Sequence, residues 1–243
     1  MILAISMLLA AAPTIQVVVK DTNGSPVANA EVRVAGDAAF VSTSAQGIAT
    51  LPARPPVTIL VSHPDFLNST EDLLSTSAAV RLGRAPVLVG VVRDDAGAFA
   101  SGVEVAFGGG HATTDERGAF RVVSLLEGSQ AVNCRGANSD LLCKEVRLEA
   151  KSGAELHLEL TAHRLDATLT ITITNAKHPE VGFRRGGAWL PHLTIEEKPG
   201  VLTSRVPVGE LELVVLEDGK PRLTKPLKLS RGDKRMEHVK LTK

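Results

Sequence analysis

The stretch Val89-Gly90-Val91-Val92-Arg93-Asp94-Asp95-Ala96-Gly97, followed by Gly102-Val103-Glu104-Val105 and Ala112-Thr113-Thr114-Asp115-Glu116-Arg117-Gly118-Ala119-Phe120, decides the fold. It reads as a strand, an Asp-x-x-Gly turn, a short polar link, a second alternating strand and a further turn ending in glycine. An earlier copy runs Val17-Val18-Val19-Lys20-Asp21-Thr22-Asn23-Gly24-Ser25-Pro26-Val27, then Glu31-Val32. Its Asp21 and Gly24 stand 73 residues ahead of Asp94 and Gly97. Self-similarity at a fixed spacing means an array of small units, each too small to bury a large core alone.

Outward from these copies, strand signals dominate. Leu156, Leu158 and Leu160 alternate with Glu155, His157 and Glu159, and Leu169, Ile171 and Ile173 alternate with threonines. Period-two alternation is what half-buried strands of a two-layer sheet require. Ala45-Gln46-Gly47 and Glu116-Arg117-Gly118 read as matching turns in which glycine takes the left-handed conformation. Only the polar segment Thr70-Glu71-Asp72-Leu73-Leu74 suggests a single helical turn. The pattern restarts after Arg81-Leu82-Gly83-Arg84-Ala85-Pro86 and after Leu160-Thr161-Ala162-His163-Arg164. The expected division is therefore 14–84, 85–164 and 165–243. The fold class is all-β, a tandem array of small Ig-like or transthyretin-like β-sandwiches.

Composition bounds the function. Apolar residues are 44% of the chain, aromatic residues only 3%, and tyrosine is absent, so the cores must be aliphatic. Twenty-seven basic and 27 acidic residues cancel, which gives no field to steer the whole chain to nucleic acid. The three segments carry net charges of −1, −3 and +4. Residues 1–13 open with an apolar run, Ile2 to Ala12, too short to span a bilayer. They read as a signal peptide, although no Lys or Arg precedes the run. The expected location is extracytoplasmic, with no transmembrane span.

The quoted motifs, with the closing Val206-Pro207-Val208-Gly209-Glu210-Leu211-Glu212-Leu213, resemble the carboxypeptidase regulatory-like domain. That family is a transthyretin-like (prealbumin-like) β-sandwich, often repeated in bacterial exported proteins. The resemblance covers residues 14–160 well and 165–243 by analogy. Its motif residues are structural, so it implies a fold and no chemistry.

Candidate sites are few. Cys134 and Cys143 flank Arg135-Gly136-Ala137-Asn138-Ser139-Asp140, read as a hairpin loop between Gln130–Cys134 and Leu141–Leu148. The pair forms a disulfide or remains as two buried thiols, and an exported chain favours the bridge. The seven histidines show no spacing that a metal site would use, so neither metal nor cofactor is expected. Asp21, Asn23, Asp94 and Asp95 read as turn formers rather than calcium ligands. Arg231-Gly232-Asp233 spells a cell-attachment tripeptide but falls where a hairpin should turn. The cluster Arg222, Lys225, Lys228, Arg231, Lys234, Arg235, Lys240 and Lys243 reads as a solvated strand face, with an anionic partner as the alternative. Trp189, beside Arg184 and Arg185, is either a binding anchor or, favoured here, a plug for an aromatic-poor core. No nucleophile motif is present. The expectation is a non-enzymatic structural or protein-interaction protein of the cell envelope. Carbohydrate binding is the alternative, disfavoured by one Trp and no Tyr.

Overall fold

Alternation along the chain becomes strand after strand. The computed structural model describes residues 13–138 and 140–241, so all of the expected leader except Pro13 lies outside the described residues. Tertiary contacts divide the chain into two compact units. Among the described residues, one holds those up to Pro86 with Lys151–Ala154, and the other those from Val87 to Ala150 and from Glu155 onward.

The first unit contains β1 (Ile15–Asp21), β2 (Glu31–Val34), β3 (Val41–Ser42), β4 (Ile48–Leu51), β5 (Val57–His63), β6 (Phe66–Leu73) and β7 (Ser77–Leu82). They form a three-stranded sheet, β4-β1-β7, and a four-stranded sheet, β3-β2-β5-β6. β7 returns parallel to β1, from Gln16↔Ser77 to Asp21↔Leu82. Ile15, Val17 and Val19 of β1 turn inward onto Val32, Ile59 and Val61, giving an aliphatic core. Each such side chain contributes about 1.5–3 kcal/mol when fully buried. Thr70–Leu73 belongs to β6 and is not helical: Thr70 pairs with Leu60 and Asp72 with Thr58. β6 is a sheet edge, so its polar side chains reach water without needing a helical face. Lys151–Ala154 completes this unit through Ser152 Oγ and Gly153 N, which donate to Arg84 O at 3.0 and 2.8 Å.

The second unit begins with β8 (Val87–Asp94), β9 (Val103–Phe107), β10 (Gly110–Thr113), β11 (Ala119–Val123), β12 (Gly128–Gly136), β13 (Leu141–Cys143), β14 (Val146–Ala150) and β15 (Glu155–Arg164). β15 runs parallel to β8, and β11 flanks β8 on its other side. The expected Leu141–Leu148 strand is broken at Lys144-Glu145. β14 pairs with β12 across Gly128–Val132, whereas β13 pairs with both β12 and β15 and so joins β10-β9-β12 to β15-β8-β11 in one eight-stranded sheet.

It continues with β16 (Ala167–Thr174), β17 (Pro179–Arg185), β18 (Ala188–Leu190), β19 (Leu193–Lys198), β20 (Val201–Val206), β21 (Gly209–Glu217), β22 (Lys220–Leu229) and β23 (Lys234–Lys240). The sheets are β19-β20-β16-β23 and β18-β17-β21-β22. Here too the last strand is parallel to the first, β23 to β16. The unit holds two separate cores, one from Leu88 to Ala162 and one from Ala167 to Leu241. They are clasped where Leu165 N donates to Asp140 O at 2.7 Å and Arg205 Nη1 reaches Asn138 O at 3.5 Å. All regular elements among the described residues are strands.

Candidate functional site

The same turn is built four times. Asp21, Ser44, Asp94 and Asp115 each accept from the N–H groups two and four residues on, at 2.8–3.3 Å. Gly24, Gly47, Gly97 and Gly118 close these turns at φ +86, +72, +82 and +67. The Asp21 and Asp94 carboxylates are thus spent on their own backbones, as turn formation expects.

Two of these turns lock one end of their sandwich. Val19 N donates to Gly47 O at 2.7 Å, and Val92 N to Gly118 O at 2.8 Å. The link after the first strand then folds back, so that Val27 N and Ala100 N donate to Val19 O and Val92 O, both at 3.0 Å. A buried threonine fastens each link. Thr43 Oγ1 donates to Val27 O and accepts from Ala30 N, while Thr114 Oγ1 donates to Ala100 O and accepts from Val103 N, all at 2.7–2.9 Å. Val27 and Ala100 are buried in their cores.

The segment from β16 onward keeps half of this device. Ile173 N donates to Gly200 O at 2.7 Å, with Gly200 at φ +75. The β19–β20 hairpin carries that glycine in place of the Asp-x-x-Gly turn. The link shortens to residues 175–178, against 22–30 and 95–102 in the other two. Where the folded-back link would lie there is a groove of about 830 Å³, lined by Ile173, Val181, His192, Thr194, Gly200 and Leu202 among others. His192 stacks edge-on against buried Phe183, with ring centroids 5.2 Å apart, and burial pushes its pKa below the ordinary histidine range.

One wall of the groove is an unpaired strand edge. Gly186-Gly187, at φ +55 and +82, closes a two-residue hairpin that pairs Arg185 with Ala188 and Phe183 with Leu190. Strand alternation points the Val181 N–H and C=O to the same edge, but β18 has ended. Among the described residues, no backbone hydrogen bond joins Val181 to His192.

Trp189 is not a core plug. Alternation sends Phe183 and Leu190 inward and leaves Trp189 on the outer sheet face, half-buried. A methyl on Gly182 would collide with its ring, and the Arg184 guanidinium lies 3.9 Å from the ring centroid. That guanidinium occupies ring surface that a sugar would stack on. Trp189 also lines a cavity of about 350 Å³ with Arg185, Lys144, Glu159, Thr161 and His163. Arg185 is anchored by Nη2 to Val208 O at 2.5 Å. Trp189 and Arg185 therefore sit where the two cores of the second unit meet.

The remaining candidates resolve as local structure. Cys134 and Cys143 form a disulfide, with Cα atoms 5.0 Å apart. His163 Nδ1 lies 2.5 Å from Asp95 Oδ1, an approach across 68 residues that spacing could not reveal. Arg231-Gly232-Asp233 is the β22–β23 turn, with Gly232 at φ +81 and Asp233 Oδ2 accepting from Ser230 N at 2.7 Å. Of the basic cluster, Arg222, Lys228, Arg231, Lys234, Arg235 and Lys240 are exposed, as a solvated face requires, Lys225 is half-buried, and Lys243 lies outside the described residues. Lys225 turns toward Glu237, 2.5 Å away, which also contacts Arg235 at 2.6 Å. Burial alone would raise the Glu237 pKa, but the Lys225 hydrogen bond and the two positive charges hold it below the usual glutamate range. Lys228, Arg222 and Arg231 face Glu210, Glu217 and Asp166. Among the described residues, no group of three or more His, Cys, Asp or Glu is placed to hold a metal ion. Nor is any helix long and apolar enough to cross a membrane.

No protein-family model matches the chain, and no curated protein matches it. The resemblance to the carboxypeptidase regulatory-like domain therefore stands on the quoted motifs alone. Among solved structures, the TIE protein of Bacillus anthracis is 15% identical with a TM-score of 0.30. That match covers 95% of this chain and 51% of that one, so this chain spans about half its length. A minor pilin of Streptococcus agalactiae is 11% identical, with a TM-score of 0.34, covering 62% of this chain and 96% of that one. The shaft pilin SpaA of Lactobacillus rhamnosus GG is 9% identical, with a TM-score of 0.30, covering 63% and 97%.

Proposed function

We propose that this chain is a non-enzymatic, exported structural or protein-interaction protein of the cell envelope. On this reading it is assembled from three β-sandwich segments, 14–84, 85–164 and 165–243. The observation that carries it is the joint within the second unit. Asp140 O is held by Leu165 N, and Trp189 and Arg185 line a cavity with Glu159 and His163. Hydrogen bonds from Leu165 N to Asp140 O and from Arg205 Nη1 to Asn138 O thus tie two sandwiches together, which suits a part that bears load or presents a surface at a set distance. The Asp21 and Asp94 carboxylates and the Thr43 and Thr114 hydroxyls are engaged in turns and strand fastenings.

The test is cross-linking of the full chain in its native host, with mass spectrometry of the captured neighbours. The expected result is recovery of the chain outside the cytoplasm, joined to envelope proteins. Recovery from the cytoplasm, or selective binding on a glycan array, would contradict the proposal.

A further inference from the structure

We infer that the groove beside Ile173 and Val181 receives an extended peptide segment of a partner protein, with a small apolar residue at its centre. The inference rests on the protein-interaction reading above and names the site that carries it.

The argument is a comparison of three ends built on one plan. In the first two, the chain supplies its own filling: Pro26–Val27 and Phe99–Ala100 cross the first strand, donate an N–H to Val19 O and Val92 O, and bury Val27 and Ala100. At Ile173 the glycine that accompanies this crossing is kept, and the crossing segment is missing. Ile173 N is bonded to Gly200. Its carbonyl points to the same strand edge, at the floor of the groove. Among the described residues no backbone hydrogen bond takes up the Val181 N–H or C=O on the wall, so a visiting strand finds backbone partners of both kinds.

The cavity fits such a guest. About 830 Å³ lies within the range of ligand pockets. Its floor is the apolar side chains of Ile173, Val181 and Leu202, beside the half-buried imidazole of His192 that stacks on Phe183. The rim carries Lys177 and Lys198 against Glu180 and Glu197, a balance that selects no strongly charged segment. Three of the other open edges of this sandwich, those of β22, β23 and β19, repel added strands. β22 carries Pro221, Pro226 and several lysines, β23 carries Lys234, Arg235 and Lys240, and β19 has a bulge at Ile195 beside charged Glu196, Glu197 and Lys198. Proline, edge charge and bulges are the usual devices against strand addition. Val181 and Gly182 carry none of them.

The probe is a synthetic peptide copying the chain's own link, Gly24-Ser25-Pro26-Val27-Ala28-Asn29-Ala30-Glu31, titrated into the full chain and followed by NMR. Saturable binding is expected, with shifts centred on Val181, His192 and Gly200. A peptide in which Val27 is replaced by Asp should bind at least about tenfold more weakly. A chain carrying Thr194→Trp, at an exposed groove position, should lose binding while keeping its melting temperature. No saturable binding up to about 1 mM would overturn the proposal. So would equal binding of the Asp peptide, or concentration-dependent self-association abolished by Thr194→Trp, which would make a second copy the occupant. If the peptide fails while the Thr194→Trp chain still cross-links to envelope proteins, the groove proposal falls and the interaction reading stands.

Discussion

The closed ends at Val19 and Val92 and the open end at Ile173 share a strand closure and differ in what fills it. In each case the first strand is flanked by an antiparallel and a parallel neighbour, and a left-handed glycine caps it. In the first two a nine- or eight-residue link packs an alanine or valine into the core, and a threonine hydroxyl fastens it. In the last, four residues join the strands and no such fastening forms. The two layers of the last sandwich are also joined by the Lys225–Glu237–Arg235 cluster.

The comparison breaks most directly at the threonines. Thr114→Val keeps the shape but leaves Val103 N and Ala100 O buried without partners. Each unpaired group costs about 1–3 kcal/mol, so the variant should lose about 2–4 kcal/mol in chemical denaturation, and Thr43→Val a similar amount. Thr194→Val, on the exposed groove rim, should change stability by less than about 0.5 kcal/mol.

Reduction of Cys134–Cys143 comes next. Opening a loop of about ten residues restores unfolded-state entropy worth roughly 2–3 kcal/mol in the chain-entropy model. Calorimetry with and without reductant should show a lowered transition for the segment around β12 and little change in the first unit. Mass spectrometry of unreduced, alkylated protein should find neither thiol modified.

Much of this was legible in the sequence. Asp-x-x-Gly at Asp21 and Asp94 fixed the turns, and alternation at Leu169-Thr170-Ile171 fixed strands and their inward faces. What stayed hidden depends on contacts far apart in the chain. Thr43 and Thr114 look like ordinary strand threonines until Val27 and Ala100 fold over them. His163 meets Asp95 only through sheet pairing, and Lys225 meets Glu237 only because β22 and β23 lie in two sheets that pack on one core. Gly200 could have been matched to Gly47 and Gly118 from Pro199-Gly200 before an apolar strand, but the intervening β19 hides the correspondence. Trp189 was misplaced because one aromatic among aliphatics suggests a core, whereas register puts Leu190 inside.

Acid should probe the ionic cluster with a smaller effect. The Glu237 pKa is lowered on folding, so its contribution is fully present above the ordinary glutamate range. It is lost as pH falls through the lowered folded value. Glu237→Gln should therefore flatten the stability–pH curve below about pH 4.5. Lys225 and Arg235 remain 41% and 44% exposed, and water screens their share of the interaction. Asp94→Ala should cost about 1 kcal/mol by releasing the Ala96 and Ala98 amides of an exposed turn.

Residue-resolved hydrogen exchange on the full chain tests the difference between closed and open ends most directly. The amides of Val27, Ala30, Ala100 and Val103, bonded to Val19 O, Thr43, Val92 O and Thr114, should exchange only on opening of their sandwich. The Val181 amide should exchange orders of magnitude faster and become protected when the link peptide is added. Protection of Val181 equal to that of Val103 in the free protein would contradict the account.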